Sequence, residues 1–149
     1  MPKVFFDASV LFSAIYSKTG GSYRVCQLVK QEKIKGFTTQ TVVGELQANV
    51  SKFKRKTKES PGDFITDCKF IVRSEISERE IKPYQNIVAA KDAHILAGAK
   101  LCHCDYLLTL DKKHLNNSKV KSKIVDLVIT SPGEFIANIV RTESRTISS

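Results

Sequence analysis

Two short apolar runs near opposite ends of the chain each close on an aspartate: Val4-Phe5-Phe6 before Asp7, and Tyr106-Leu107-Leu108-Thr109-Leu110 before Asp111. Runs of that length, rich in β-formers, read as strands buried on both faces, which is the pattern of a parallel sheet. In open α/β sheets, ligands bind beyond the carboxyl ends of the strands, at the point where strand order reverses. Two strands that each deliver a carboxylate to that edge point to a cation site. They favour a metal-dependent enzyme over an inert domain.

The segments between these runs alternate in period. Val10, Leu11, Ala14 and Ile15 have helical spacing, and Gly20-Gly21 ends that stretch. Ser22 reads as the N-cap of a helix carrying Val25, Leu28 and Val29. Gly36-Phe37-Thr38-Thr39 is a second strand, and from Thr41 an amphipathic helix presents Val42, Val43, Leu46, Val50 and Phe53. Ser60-Pro61-Gly62 breaks it, a short helix follows, and Phe70-Ile71-Val72 is a third strand. Lys82-Pro83-Tyr84 reads as loop. Asp92 opens a helix with Ile95, Leu96, Ala99 and Leu101 facing inward, Tyr106–Leu110 is the fourth strand and Ile124–Thr130 the fifth. Ser131 caps a last helix with Pro132 at its first position and Glu134 at its third. Strands separated by helices, with right-handed crossovers, make a parallel sheet covered on both faces. Periodicity leaves strand order open; if the first and fourth strands are neighbours, Asp7 and Asp111 meet.

With 149 residues the chain is expected to be one domain with a proper core. The apolar stretch from Val4 to Tyr16 is interrupted by Asp7 and followed by no small-residue cleavage site. It is therefore not read as a signal peptide, and no segment approaches a membrane span, so a cytoplasmic protein with no membrane partner is expected. Cys26, Cys68, Cys102 and Cys104 are expected to be reduced thiols. Cys102-His103-Cys104 lacks the ligand spacing of a structural zinc site and reads as buried small residues near a helix end.

Lys and Arg number 24 against 15 acidic residues, a formal net charge of +9. A small domain so basic is drawn to polyanions by counterion release. The excess gathers in one run, Lys52, Lys54, Arg55, Lys56 and Lys58, and in a looser one, Lys112, Lys113, Lys119, Lys121 and Lys123. Phe53 is the only aromatic interleaved there, so composition signals attraction to a phosphate backbone and not base stacking.

Four acidic residues sit where such a sheet could gather them: Asp7 and Asp111 at strand ends, Glu45 early in the helix after the second strand, and Asp92 at the helix before the fourth. Each alone is equally explained as a cap, a dipole partner or a solvated residue. Together they would repel and raise one another's pKa unless a cation held them. Mg²⁺ or Mn²⁺ takes oxygen ligands in this way and could serve phosphodiester hydrolysis. Ser9 and Thr109 could hydrogen-bond a carboxylate or water. His94 reads as surface or packing, and His114 as a cap or surface residue ahead of one that reaches a substrate phosphate.

An early strand ending in Asp7-Ala8-Ser9, the downstream Glu45, Lys91-Asp92-Ala93-His94-Ile95-Leu96-Ala97-Gly98-Ala99, and Leu107-Leu108-Thr109-Leu110-Asp111 together resemble a PIN domain. The likeness runs from Val4 to about Ile139 and includes Thr130-Ser131-Pro132-Gly133-Glu134-Phe135. It implies a PIN-like domain over residues 1–140, with 141–149 a flexible tail. The implied fold is an α/β/α sandwich around a five-stranded parallel sheet in the order 3-2-1-4-5. The implied activity is a Mg²⁺- or Mn²⁺-dependent endoribonuclease acting on single-stranded RNA. Asp7, Glu45, Asp92 and Asp111 match the family's metal-binding and catalytic quartet, with Ser9 and Thr109 as polar companions. Lys52, Lys54, Arg55, Lys56, Lys112 and Lys113 are expected to bind RNA. Many PIN domains are toxins of a toxin–antitoxin pair and form homodimers, so an antitoxin protein and a second copy are the implied partners. In relatives an acidic residue or Asn often follows the Thr-x-Asp motif. Here Lys112, Lys113 and His114 follow, with Asn116 and Asn117 beyond. That departure keeps open an alternative, a PIN-like RNA- or protein-binding module that does not cut.

Overall fold

In chain order the elements are β1 (Lys3–Phe6), α1 (Ala8–Tyr16), α2 (Gly21–Lys30), β2 (Lys35–Thr39), α3 (Gln40–Lys52), α4 (Pro61–Asp67), β3 (Ile71–Arg73) and α5 (Glu78–Ile81). A 3₁₀ turn (Lys82–Tyr84), α6 (Ala90–Leu101), β4 (Tyr106–Leu108), α7 (Ser118–Lys123), β5 (Val128–Thr130) and α8 (Pro132–Ser148) complete it. This computed structural model describes residues 1–57 and 59–148, with side chains through Thr142; Lys58 of the first basic run and Ser149 lie outside the described residues.

The sheet is wholly parallel and ordered β3-β2-β1-β4-β5, as the family resemblance implies. β1 and β4 are neighbours, with Val4 opposite Tyr106 and Phe6 opposite Leu108. The chain builds outward from β1 to β3, then returns to the other side of β1 with β4. That reversal opens the crevice in which a doubly wound sheet binds ligands. Right-handed crossovers then put helices on both faces.

The strands are apolar because both faces are covered. Val4, Phe5 and Phe6 are fully buried, as are Leu107 and Leu108. On one face the Phe6 ring meets Phe70 edge-on at 4.7 Å between centroids. On the other, α6 lies so close that a Cβ at Gly98 would sit 2.8 Å from the ring tip of Phe5. Gly98 is therefore the residue that lets α6 seat on the sheet.

Several boundaries depart from the sequence reading. α2 begins at Gly21, with Gly20 as its cap and no side-chain capping bond, so Ser22 lies inside the helix and is buried. α6 begins at Ala90, which places Asp92 in its first turn rather than at its cap, and Leu101 is exposed. Lys82–Tyr84 is a 3₁₀ turn rather than loop. β4 stops at Leu108 rather than Leu110, and β5 starts only at Val128 rather than Ile124. Phe53 is the C-cap of α3 and 41% exposed, not part of its buried stripe. α8 continues through residues 141–148. The four cysteines are free and buried, and burial pushes the Cys104 thiol up to about 12, which suits packing and not metal ligation. Among the described residues no helix is long and apolar enough to cross a membrane.

Candidate metal centre at the carboxyl edge of the sheet

The Asp7 carboxylate sits where β1 hands over to α1. Asp7 is the N-cap of α1, and its Oδ1 accepts the Ser9 backbone N–H at 2.9 Å. Its Oδ2 accepts the Thr109 hydroxyl. A carboxylate offers about four lone-pair sites, so both oxygens keep acceptor capacity beyond these two bonds. Asp7 is only 8% exposed, and burial pushes its pKa up despite the donors from Thr109 and Ser9.

β4 ends early because its next residue turns to serve this carboxylate. Thr109 is fully buried; its backbone N–H still reaches Thr130 O at 3.1 Å, while its hydroxyl faces Asp7. The same hydroxyl accepts the Asp111 backbone N–H at 3.1 Å. Ser9 closes the arrangement, its Oγ accepting the Leu110 N–H at 3.1 Å. Ser9 and Thr109 thus bind carboxylate and backbone, tying the two strand ends together.

Asp111 opens a tight turn. Burial raises its pKa, but the His114 backbone N–H, the His114 ring and the Lys113 N–H outweigh it and hold Asp111 below the usual value. The His114 N–H bonds Oδ1 at 2.9 Å, and its Nδ1 lies 3.0 Å from Oδ2. Asp92 enters from the first turn of α6. Burial raises its pKa; Lys91 and His114 pull it down, while Asp111 and Glu45 push it up.

Ligand atoms of Asp92, Asp111 and His114 all lie within 4.8 Å of one another, the one such group among the described residues. The Asp92 Oδ2 is buried and has no hydrogen-bond partner. A buried anionic oxygen without a donor is costly, and a divalent cation held with Asp111 and His114 would satisfy it. The donor set fits a divalent ion. Asp7 and Glu45 stand outside the group, yet within electrostatic reach: Glu45 raises the pKa of both Asp7 and Asp92.

Two histidines have roles that spacing did not reveal. His114, read as cap or surface, belongs to the ligand group. His94, read as surface or packing, is buried at 6% exposure and sets its Nε2 against Glu45 Oε1, outside hydrogen-bond geometry, while its Nδ1 has no partner. The signal was available, since a histidine amid the apolar residues of α6 needs a polar neighbour. Asn117 is engaged elsewhere as the cap of α7, its Oδ1 accepting Val120 N–H at 3.0 Å. Lys52, Lys54, Arg55 and Lys56 are exposed, as are Lys112 and Lys113, which directly follow Asp111 in the chain.

The sequence profile of a family described as PIN domain matches residues 3–113. Among solved structures, a chain of VapBC2 from Rickettsia felis, solved bound to a DNA fragment from its promoter, is similar with a TM-score of 0.60 and 18% identity. That likeness covers 87% of this chain and 98% of that one. A chain of FitAB, solved bound to the IR36 DNA fragment, gives a TM-score of 0.53 at 15% identity, covering 87% and 94%. At these identities the likeness is one of fold. A sequence comparison with curated proteins finds no match.

Proposed function

This chain belongs to the PIN domain family, and from that premise we propose that it is a divalent-metal-dependent endoribonuclease acting on single-stranded RNA in the cytoplasm, as the toxin of a toxin–antitoxin pair. PIN domains are generally nucleases that use a divalent metal. The observation that carries the reading for this chain is the convergence of Asp92, Asp111 and His114 around an unpartnered buried carboxylate oxygen.

Asp92, Asp111 and His114 would hold the ion, with Asp7 lending charge from behind Thr109. A bound Mg²⁺ or Mn²⁺ supplies the positive charge that stabilises a phosphodiester gaining negative charge under attack by water. Glu45, half-exposed and backed by His94, would orient that water and take its proton. Lys112 and Lys113 next to Asp111, together with the first basic run, would draw the RNA backbone toward an otherwise repulsive acidic floor. An antitoxin partner is supported by the neighbours, both of which come from DNA-bound two-name complexes. On family grounds we also propose a homodimer.

The decisive experiment is incubation with single-stranded RNA and Mn²⁺, with Asp92→Asn as control and Mn²⁺ binding measured in parallel. Cleavage lost in the variant supports the reading. No cleavage by the parent protein, or cleavage undiminished in the variant, overturns it. RNA binding without turnover would establish the non-cutting module instead.

A further inference from the structure

A groove of about 380 Å³ opens beside the acidic cluster, between α1 and α3. That volume lies within the range of about 300–1,000 Å³ typical of small-ligand clefts. Phe12 and Ser13 of α1 form one wall, and Asn49, Lys52 and Phe53 of α3 and its C-cap form the other. Its inner end is made by Ser9 and Leu110, the pair whose Oγ and N–H are bonded at 3.1 Å. Ser9 also donates its backbone N–H to Asp7, and Leu110 directly precedes Asp111. The groove therefore opens beside the two residues that adjoin Asp7 and Asp111.

Its chemistry is mixed in a particular way. Phe53 is the lone aromatic of the Lys52–Lys56 run, but the fold sets two more rings beside it. Phe53 meets Phe12 edge-on at 5.1 Å between centroids and Tyr16 at 4.7 Å, while Phe12 and Tyr16 are 4.7 Å apart. These contacts brace Phe53, yet it stays 41% exposed. A braced, exposed ring inside a basic run is the combination by which proteins hold single strands, the ring stacking a base while cations track the backbone. Asn49 adds both a donor and an acceptor for a base edge, and Lys52 a cation for a phosphate. A purely apolar protein segment would leave Asn49 and Lys52 unmatched.

We propose that this groove is a nucleobase subsite, which holds a base of the RNA strand next to the phosphodiester presented to the carboxylates, with Phe53 as the stacking platform and Asn49 at the base edge. The inference rests on the ribonuclease reading above and adds where the strand lies. Phe53 and Asn49 become specificity residues for the nucleotide flanking the cut.

The test measures binding of a fluorescent single-stranded RNA by anisotropy, in EDTA so that no cleavage intervenes. A second oligonucleotide carries one abasic nucleotide at the position flanking the mapped cleavage site. Phe53→Ala is expected to weaken binding of the intact strand by roughly tenfold and to bind the abasic strand no worse than the parent does. Phe53→Tyr, which keeps the ring, should restore the difference, and Asn49→Ala should alter base preference at that one position. Phe53 and Asn49 are exposed, and thermal unfolding confirms that each variant folds. If Phe53→Ala binds both strands as the parent does, or weakens both equally, the subsite is overturned and the groove is left to a protein segment. If the parent cleaves no RNA with Mn²⁺, so that no cleavage site can be mapped, the ribonuclease reading itself falls, and this inference with it. If it cleaves but binds no intact strand in EDTA, the subsite alone is overturned.

Discussion

The Thr109 hydroxyl donates to the Asp7 carboxylate across 102 positions of sequence and, with the same oxygen, accepts the Asp111 backbone N–H at 3.1 Å. One buried hydroxyl therefore sets the spacing of two acidic residues from neighbouring strands. Thr109→Val keeps the shape, strips Asp7 of a donor and leaves the Asp111 N–H without its acceptor. Loss of a hydrogen bond to a charged group at a buried site is worth about 1.5–3 kcal/mol. Urea unfolding should show a loss of that size, with weaker Mn²⁺ binding, and Thr109→Ser should recover most of both.

Burial raises the pKa of Asp7, so the folded protein binds its proton more tightly than the unfolded chain does. The sign follows by linkage: the contribution of Asp7 to stability is full below the unfolded value of about 3.9 and is lost as pH rises through the raised folded value. Asn caps helices about as well as Asp, so Asp7→Asn keeps the cap of α1 while removing the titration. In EDTA, the stability of Asp7→Asn relative to the parent should therefore climb as pH rises from 4 to 7. A flat difference would contradict the buried state of Asp7. Nuclease activity should be lost at every pH.

Bound Mn²⁺ should stabilise the parent protein by mass action, by about 2.7 kcal/mol at a concentration one hundred times the dissociation constant. Asp92→Asn should abolish that gain in a thermal-shift titration. Imidazole suits transition metals while Mg²⁺ favours oxygen ligands. His114→Ala should accordingly lose Mn²⁺ affinity more than Mg²⁺ affinity, whereas equal losses would place His114 outside the ligand set.

His94 sets its Nε2 against Glu45, so in the proposed mechanism it would act on the reaction only through Glu45. His94→Ala should lower kcat while leaving KM for RNA near the parent value, because the lysines proposed to bind RNA are untouched. His94→Gln should restore part of kcat. A matched rise in KM would argue for a general collapse of the rim.

Gly98 presents the clearest packing test. Alanine is the better helix former by about 1 kcal/mol, but a Cβ here would lie 2.8 Å from Phe5 Cζ and 3.1 Å from Thr39 Cγ2. Neither neighbour has room to yield, since both residues are fully buried. Overpacking of this kind costs about 1–3 kcal/mol. Gly98→Ala should therefore destabilise the protein and, by lifting α6, weaken metal binding at Asp92.

Much of this architecture was legible locally. The apolar triplet Val4-Phe5-Phe6 and the pair Leu107-Leu108 could only be strands covered on both faces, and the helical stripes between them could only be crossovers. The boundaries that slipped are those where a side chain answers to a distant partner. Leu110 continues an apolar run in sequence yet leaves the strand, because Thr109 turns to bond Asp7 and the Leu110 N–H goes to Ser9. Phe53 continues the spacing of a buried stripe yet ends exposed at the C-cap, where it meets Phe12 and Tyr16.

The sequence by itself determined that strands alternate with helices and that Asp7 and Asp111 follow strands, because period and length are properties of neighbouring residues. It also carried, through the order and spacing of its short motifs, the family to which the chain belongs. Only the tertiary structure decided which polar atoms meet. Periodicity tells which face of a helix is apolar but not what lies against a polar residue on it. The grouping of His114 with Asp92 and Asp111, the backing of Glu45 by His94, and the aromatic groove beside them therefore appear only once β4 lies against β1 and α6 seats on the sheet.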